Sequence, residues 1–278
     1  MLKKFKWWQK IVDKYSHEHD NSEMAKEQMV RMRQVIGFLG ILLPWIVVLI
    51  SMKYGGLGHW PHSISETWHT NACTPFMIIL GSAAFVLICY KGYGSIDDYT
   101  LSFAGVMALG ICLFPCKDGS DSQKIGTFML DRDLSNTLHL VSAVLFFLLL
   151  AFTSLCLFTL GKEEKTEKKE KRNKIYRFCG WGMVAAMAAM LLGTYLAAHY
   201  KKYFEMVFEC ICGNRFCCLE FLMTSHVWLF EMIALTFFGV SFLTKANSFV
   251  VLHCDECERK RKLSFWLEKI KRAIQKVS

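Results

Sequence analysis

The chain is predicted to be an all-α integral membrane bundle of six transmembrane helices, with an amphipathic interfacial helix at each end. Three observations carry this prediction. Hydrophobic residues make up 53% of the 278 positions, and they are bunched: residues 41–50 and 144–150 carry no charge at all. Crossing roughly 30 Å of hydrocarbon takes about 20 apolar residues, and six stretches come near that length. Lysine and arginine cluster in alternate connections, as they do when cytoplasmic loops are basic. A soluble reading would need six helices buried on every side, which one small core cannot enclose.

The chain divides into a basic segment, 1–33, a transmembrane domain, 34–244, and a basic tail, 245–278. In the first, "LKKFKWWQKIVDKY" sets Leu2, Phe5, Trp8, Val12 and Tyr15 at helical spacing with lysines between them. Such a helix lies flat in the membrane interface. The first apolar run starts after 33 mostly polar residues and no small-residue cleavage site follows it, so a retained span is expected. The six spans fall at 34–53, 73–92, 99–115, 137–160, 178–198 and 223–244. The third is the shortest and ends at Pro115. Between the fourth and fifth, "GKEEKTEKKEKRNK" is a mixed charge run with no apolar face and reads as a solvated linker. The tail repeats the amphipathic pattern with Leu263, Trp266, Leu267, Ile270, Ile274 and Val277.

Of the 33 lysines and arginines, 26 lie in 1–33, 91–98, 161–177 and 245–278. That bias places both termini in the cytoplasm. The net charge of +9 then reflects this bias and attraction to anionic membrane lipids, with no nucleic-acid partner required. No P-loop, GxSxG or dinucleotide fingerprint occurs. "GYGSIDD" at 92–98 reads as a turn, because no strand precedes it and a third glycine is missing.

The opposite, outward ends of the spans collect chemistry. Six of the nine histidines lie there: His59, His62, His69, His139, His199 and His226. So do the acids Glu66, Asp118, Asp121, Asp131 and Asp133. In "HSISETWHT", Ser63 and Glu66 have capping-box spacing, which starts a short helix before the second span. On an α-helix Ser65 and His69 share a face. His139 sits one turn inside the fourth span. His226 opens the sixth, with Glu231 about 7 Å deeper along the helix axis. An ionisable residue at that depth is a functional candidate by default, although pairing with a buried polar group is the bland reading. Ser65, Asp118, His139 and Glu231 are therefore the candidate catalytic residues. His69, His139, His226 and Asp118 are the candidate ligands of a hydrolytic zinc. The alternative leaves the histidines as interfacial groups bonded to backbone and water. In "ECICGNRFCC", Cys210, Cys212, Cys217 and Cys218 flank a Gly–Asn turn, and in an oxidising exterior they form one or two disulfides. Cytoplasmic Cys254 and Cys257 have C-x-x-C spacing but no second pair.

"SISETWHTNACTP" resembles the "ISxTG…P" element of a six-span membrane superfamily. That group includes the damage-regulated autophagy modulator, the GPI-anchor remodelling proteins and uncharacterised bacterial relatives. "LFPCKD" is similar to the "FPxD" element of those relatives, with one extra residue before the aspartate, and "LHLVSAVLFF" to their "H…A…FF" span. The TG of the first element is absent, with Trp68 and His69 near that place. The resemblance covers about residues 35–160. It implies a lipid-associated, lipid-modifying role and points to Ser65, His139 and Asp118. A more distant similarity is to seven-span metal-dependent lipid hydrolases that use a serine, an aspartate and three histidines; their closing "HxxxH" is missing here, where only His226 stands.

Two functions remain open from the sequence. One is a lipid-associated membrane protein or lipid-modifying enzyme with an outward polar site. The other is a non-enzymatic sensor, channel-like or structural protein whose cysteine loop binds a membrane-protein partner or a second copy.

Overall fold

In the computed structural model, residues 21–54, 59–92, 94–117, 123–160, 167–212 and 224–246 are described. They form six α-helices: α1 (Asn21–Tyr54), α2 (Cys73–Ile88), α3 (Ser95–Leu113), α4 (Arg132–Phe152), α5 (Glu167–Cys212) and α6 (His226–Lys245). Five of them are long and apolar enough to cross a membrane, the signature of a multi-pass membrane protein. The sixth, α2, has 16 residues and would reach only about 24 Å. The short helix is thus the second and not the third. It ends early because Tyr90 turns inward, where its hydroxyl accepts from Arg33 Nε at 2.8 Å. The two amphipathic end segments lie outside the described residues.

Consecutive helices pack side by side, and α6 returns to α1, so the six close into a ring. Large apolar side chains also point outward from mid-helix, among them Leu49, Ile78, Phe85, Phe178 and Trp181. A water-soluble protein does not leave so much apolar surface bare. Inside, Phe76, Leu87, Leu150, Met183, Phe238 and Phe242 are fully buried. Phe238 packs edge-on against both Phe146 and Phe242.

The ring closes tightly between α1 and α6. A Cβ on Gly37 would lie 2.9 Å from the Gly239 carbonyl oxygen, and one on Gly239 would lie 2.6 Å from that of Gly37. Only glycines let two backbones approach so closely, the usual device for helix contact in lipid. The buried face of α5 carries Met183, Ala186 and Met187.

The linker reading of 161–174 is corrected in part: residues from Glu167 onward are already helical, and α5 runs 46 residues to Cys212. Glutamates at 167 and 170 suit a helix N-terminus. α4 ends in a π-turn, Thr153–Leu157. There Ser154 Oγ bonds Ser241 Oγ at 2.7 Å and donates to the Tyr176 carbonyl at 3.0 Å, tying α4 to α6 and α5. Arg33 Nη1 reaches the Lys245 carbonyl, and Lys245 Nζ the Phe158 carbonyl at 3.3 Å, so this end of the bundle carries the buried Arg33 and the half-buried Lys245.

At the other end a two-stranded hairpin, Lys124–Ile125 with Leu130–Asp131, leads into α4. Strands of two residues leave no periodic signal, so the all-α reading contained none. Asp131 caps α4 by accepting from the N–H groups of Asp133 and Leu134. Of the "GYGSIDD" segment, Ser95–Asp98 form the first turn of α3, and Asp98 Oδ1 accepts from the Gly92 N–H at 2.6 Å.

Gly239→Val would force α1 and α6 apart at this close crossing. The expected loss is about 1–3 kcal/mol, read as a lower unfolding midpoint in detergent, while Gly81→Val, with open space around its Cβ position, should be near neutral.

Candidate functional site

The stretch between α1 and α2 dips into the bundle. Ile64, Thr67 and Ala72 are at most 3% exposed. Non-helical backbone at such a place must have its polar groups bonded. Here α6 provides the partners. The Trp228 N–H donates to the His62 carbonyl at 2.8 Å, and Glu231 Oε2 accepts from the Ile64 N–H at 2.5 Å. Glu231 thereby fixes the residue before Ser65.

The capping box forms with a slip. Ser63 Oγ accepts from the Glu66 N–H at 3.0 Å, but Glu66 reaches back to the His62 N–H at 2.5 Å, one residue short of the reciprocal partner. The helix it opens, Ser65–His69, is 3₁₀. At three residues per turn, positions four apart are about a third of a turn out of line, so Ser65 and His69 do not stack as on an α-helix.

Both nevertheless bear on one feature, the non-helical segment after α3. Its three consecutive carbonyls are each taken by a side chain. His139 Nδ1 donates to Phe114 at 2.7 Å, Ser135 Oγ to Pro115 at 2.9 Å, and His69 Nε2 to Cys116 at 2.8 Å. Trp68 Nε1 donates to the Cys112 carbonyl at 3.2 Å, and Asn136 Oδ1 accepts from the Lys117 N–H at 3.0 Å. The "LFPCK" segment is thus held by α4 on one side and by the 3₁₀ helix on the other.

Between them lies the contact that matters most: Ser65 Oγ is 3.0 Å from His139 Nε2, with both residues buried. A carbonyl oxygen only accepts, so the bond to Phe114 places the imidazole proton on Nδ1. Nε2 of the neutral ring then accepts from the Ser65 hydroxyl. Ser65 and Glu231 also line one narrow cleft with only about 30 Å³ of open space, whose remaining wall is apolar and includes Leu43, Phe76, Leu80, Phe146 and Leu235. A hydroxyl bonded to an oriented base, at the edge of an apolar cleft, is the arrangement of an activated nucleophile.

The structure therefore brings Ser65, His139 and Glu231 to one place. Among the described residues, His69, His139 and His226 do not form a group close enough to share a metal. Both nitrogens of His139 are engaged, His69 is bonded to the Cys116 carbonyl, and His226 Nε2 lies 3.3 Å from Thr194 Oγ1 on α5. His226 also presses on Gly193, where a Cβ would sit 2.7 Å from its ring. Asp118 lies outside the described residues, as do Cys217 and Cys218. Cys210 and Cys212 fall in the last turn of α5. Among the described residues, Cys73, Cys89, Cys112, Cys156 and Cys179 form no disulfide.

Sequence reasoning missed the carbonyls of Phe114, Pro115 and Cys116 and the N–H of Ile64, because backbone groups have no letter. It also missed Ser135. Its one signal was the four-residue step to His139, which puts both on one face of α4. The chain matches no protein-family model, no curated protein and no solved structure.

His139→Ala should leave the Ser65 hydroxyl and the Phe114 carbonyl unpaired in a dry interior. The expected cost is about 1–3 kcal/mol for such groups, seen as a lower unfolding midpoint, whereas exposed His199→Ala should stay within about 0.5 kcal/mol.

Proposed function

We propose that the protein is a membrane-embedded serine acyl hydrolase or acyltransferase acting on ester-linked lipids, with Ser65 as nucleophile and His139 as its base. The observation that carries this reading is the 3.0 Å contact between Ser65 Oγ and His139 Nε2 at the wall of an apolar cleft. Ser65 Oγ would attack the acyl carbonyl carbon while its proton passes to His139 Nε2. The imidazolium would return that proton to the departing alkoxide, leaving the acyl group on Ser65. Water or a second alcohol, deprotonated by His139, would then release it. The Phe114 carbonyl does the orienting that a carboxylate does in a triad, holding the ring and stabilising its charged form. Glu231 acts as a positioning residue through Ile64. The resemblance of the Ser65 and His139 motifs to the six-span superfamily points to lipid, and the cleft wall beside Ser65 is apolar, although its helices would have to part to admit an acyl chain.

The test is turnover of phospholipid and glycolipid esters by the purified full chain, paired with labelling by a fluorophosphonate probe. Ser65→Ala should abolish both, and His139→Ala should lower turnover about 10²- to 10⁴-fold, the usual worth of a general base. Glu231→Gln, which keeps an oxygen for Ile64, should lose far less. Undiminished turnover in Ser65→Ala would overturn the assignment. If Ser65 and His139 form only a structural lock, the wild type will hydrolyse none of these esters and take up no probe.

The same reading takes six spans, with α2 completed by the buried 3₁₀ segment before it. Both termini lie in the cytoplasm, interfacial helices flank the bundle, and the Ser65 end faces outward. The 210–218 loop would then meet an oxidising compartment and close by disulfide. Membrane-impermeant thiol labelling on intact cells should miss reporters placed at Glu163 and Ser278; labelling of either from outside would reverse the orientation.

A further inference from the structure

We infer that His59, His62 and Glu66 form a binding site for a zinc-class divalent transition metal at the mouth of the loop that carries Ser65. A ring nitrogen of each histidine and a carboxylate oxygen of Glu66 all lie within 4.8 Å of one another. Two imidazoles and a carboxylate are a zinc ligand set that leaves a fourth position open. The hydrogen bonds around these residues favour it. His59 Nδ1 donates to the Trp60 carbonyl at 2.9 Å, and His62 Nδ1 to the Thr224 carbonyl at 2.8 Å. Each bond puts the proton on Nδ1 and leaves the Nε2 lone pair for a metal, as second-shell carbonyls do for ligating histidines. The two rings already lie face to edge-tilted, with centroids 5.0 Å apart. Glu66 uses Oε2 to hold the His62 N–H, which fixes the carboxylate while its other oxygen stays available.

Tetrahedral ligands at about 2.0 Å from zinc sit roughly 3.3 Å apart, so the three groups need close by only about 1.5 Å. His59 and His62 are exposed and can make that adjustment. Magnesium and calcium are disfavoured, since they take oxygen ligands and only one carboxylate is present. A bound ion would join the loop on both sides of Ser63 and, through His62 and Thr224, fasten it to the start of α6. It would therefore stiffen the backbone around Ser65 without touching Ser65 or His139.

Cobalt(II) titration of the chelator-stripped full chain in detergent tests this. Cysteines elsewhere could compete, and thiolate ligands announce themselves by a strong near-ultraviolet charge-transfer band. One equivalent should bind without that band and raise the unfolding temperature. His59→Ala, whose only recorded bond is to its neighbour's carbonyl, should weaken binding about tenfold or more while leaving the metal-free unfolding temperature unchanged. Glu66→Gln should do the same to affinity. The inference fails if no cobalt binds, if all bound cobalt shows the thiolate band, or if His59→Ala and Glu66→Gln bind as the wild type does.

Discussion

Two stretches of non-helical backbone enter the bundle at the same end, and neither can be left with bare polar groups there. Within 59–72 and 114–117, the buried residues Ile64, Ser65, Thr67, Ala72 and Pro115 bring backbone groups to places that water does not fill, where each unpaired group costs several kcal/mol. Everything distinctive about that end follows from how the two are satisfied. His139, Ser135 and His69 take three successive carbonyls of one segment. Glu231 and the Trp228 N–H bond the backbone of the other. Ser65 and His139 then meet because each belongs to one of the two sets of ties.

This origin explains why the site is preorganised. His139 is held by its own donor bond, so its free nitrogen points at Ser65 without any rearrangement. Ser65 is held by a 3₁₀ turn whose preceding residue is pinned by Glu231. If they act as the proposed nucleophile and base, groups fixed in this way would lose little entropy in reaching a reactive geometry. The apolar cleft beside them draws its walls from several helices of the ring. Closure of that ring at Gly37 and Gly239 therefore bears on the cleft as well as on stability.

The two ends of the molecule use polar groups differently. Around Arg33, Lys245, Tyr90 and Tyr176, cations bond carbonyls and lie against aromatic faces. There the polar contacts cap helix C-termini, where positive charge is favoured. Around Ser65 the groups are neutral hydroxyls, imidazoles and one carboxylate. The first arrangement ties helix ends together, and the second ties two irregular segments to the helices around them.

Apolar run length and charge asymmetry determined the helical membrane architecture and nearly every helix, because burial in lipid depends on composition over about 20 residues and needs no partner. The choice of Ser65, His139 and Glu231 as candidates was also legible, since ionisable and hydroxyl groups near span ends are rare enough to stand out. The meeting of Ser65 with His139 belongs to tertiary structure alone: 74 positions separate them, and their contact rests on where α4 and the buried loop dock. Tertiary structure likewise gave His226 a partner on α5, Thr194, and His139 a partner in the buried loop, Ser65. Depth along a helix is written in sequence, but position around the ring is not, because it depends on which neighbours each helix packs against. The shortness of α2 and the 3₁₀ form of 65–69 were decided the same way, by Tyr90 turning to Arg33 and by Ile64 reaching Glu231.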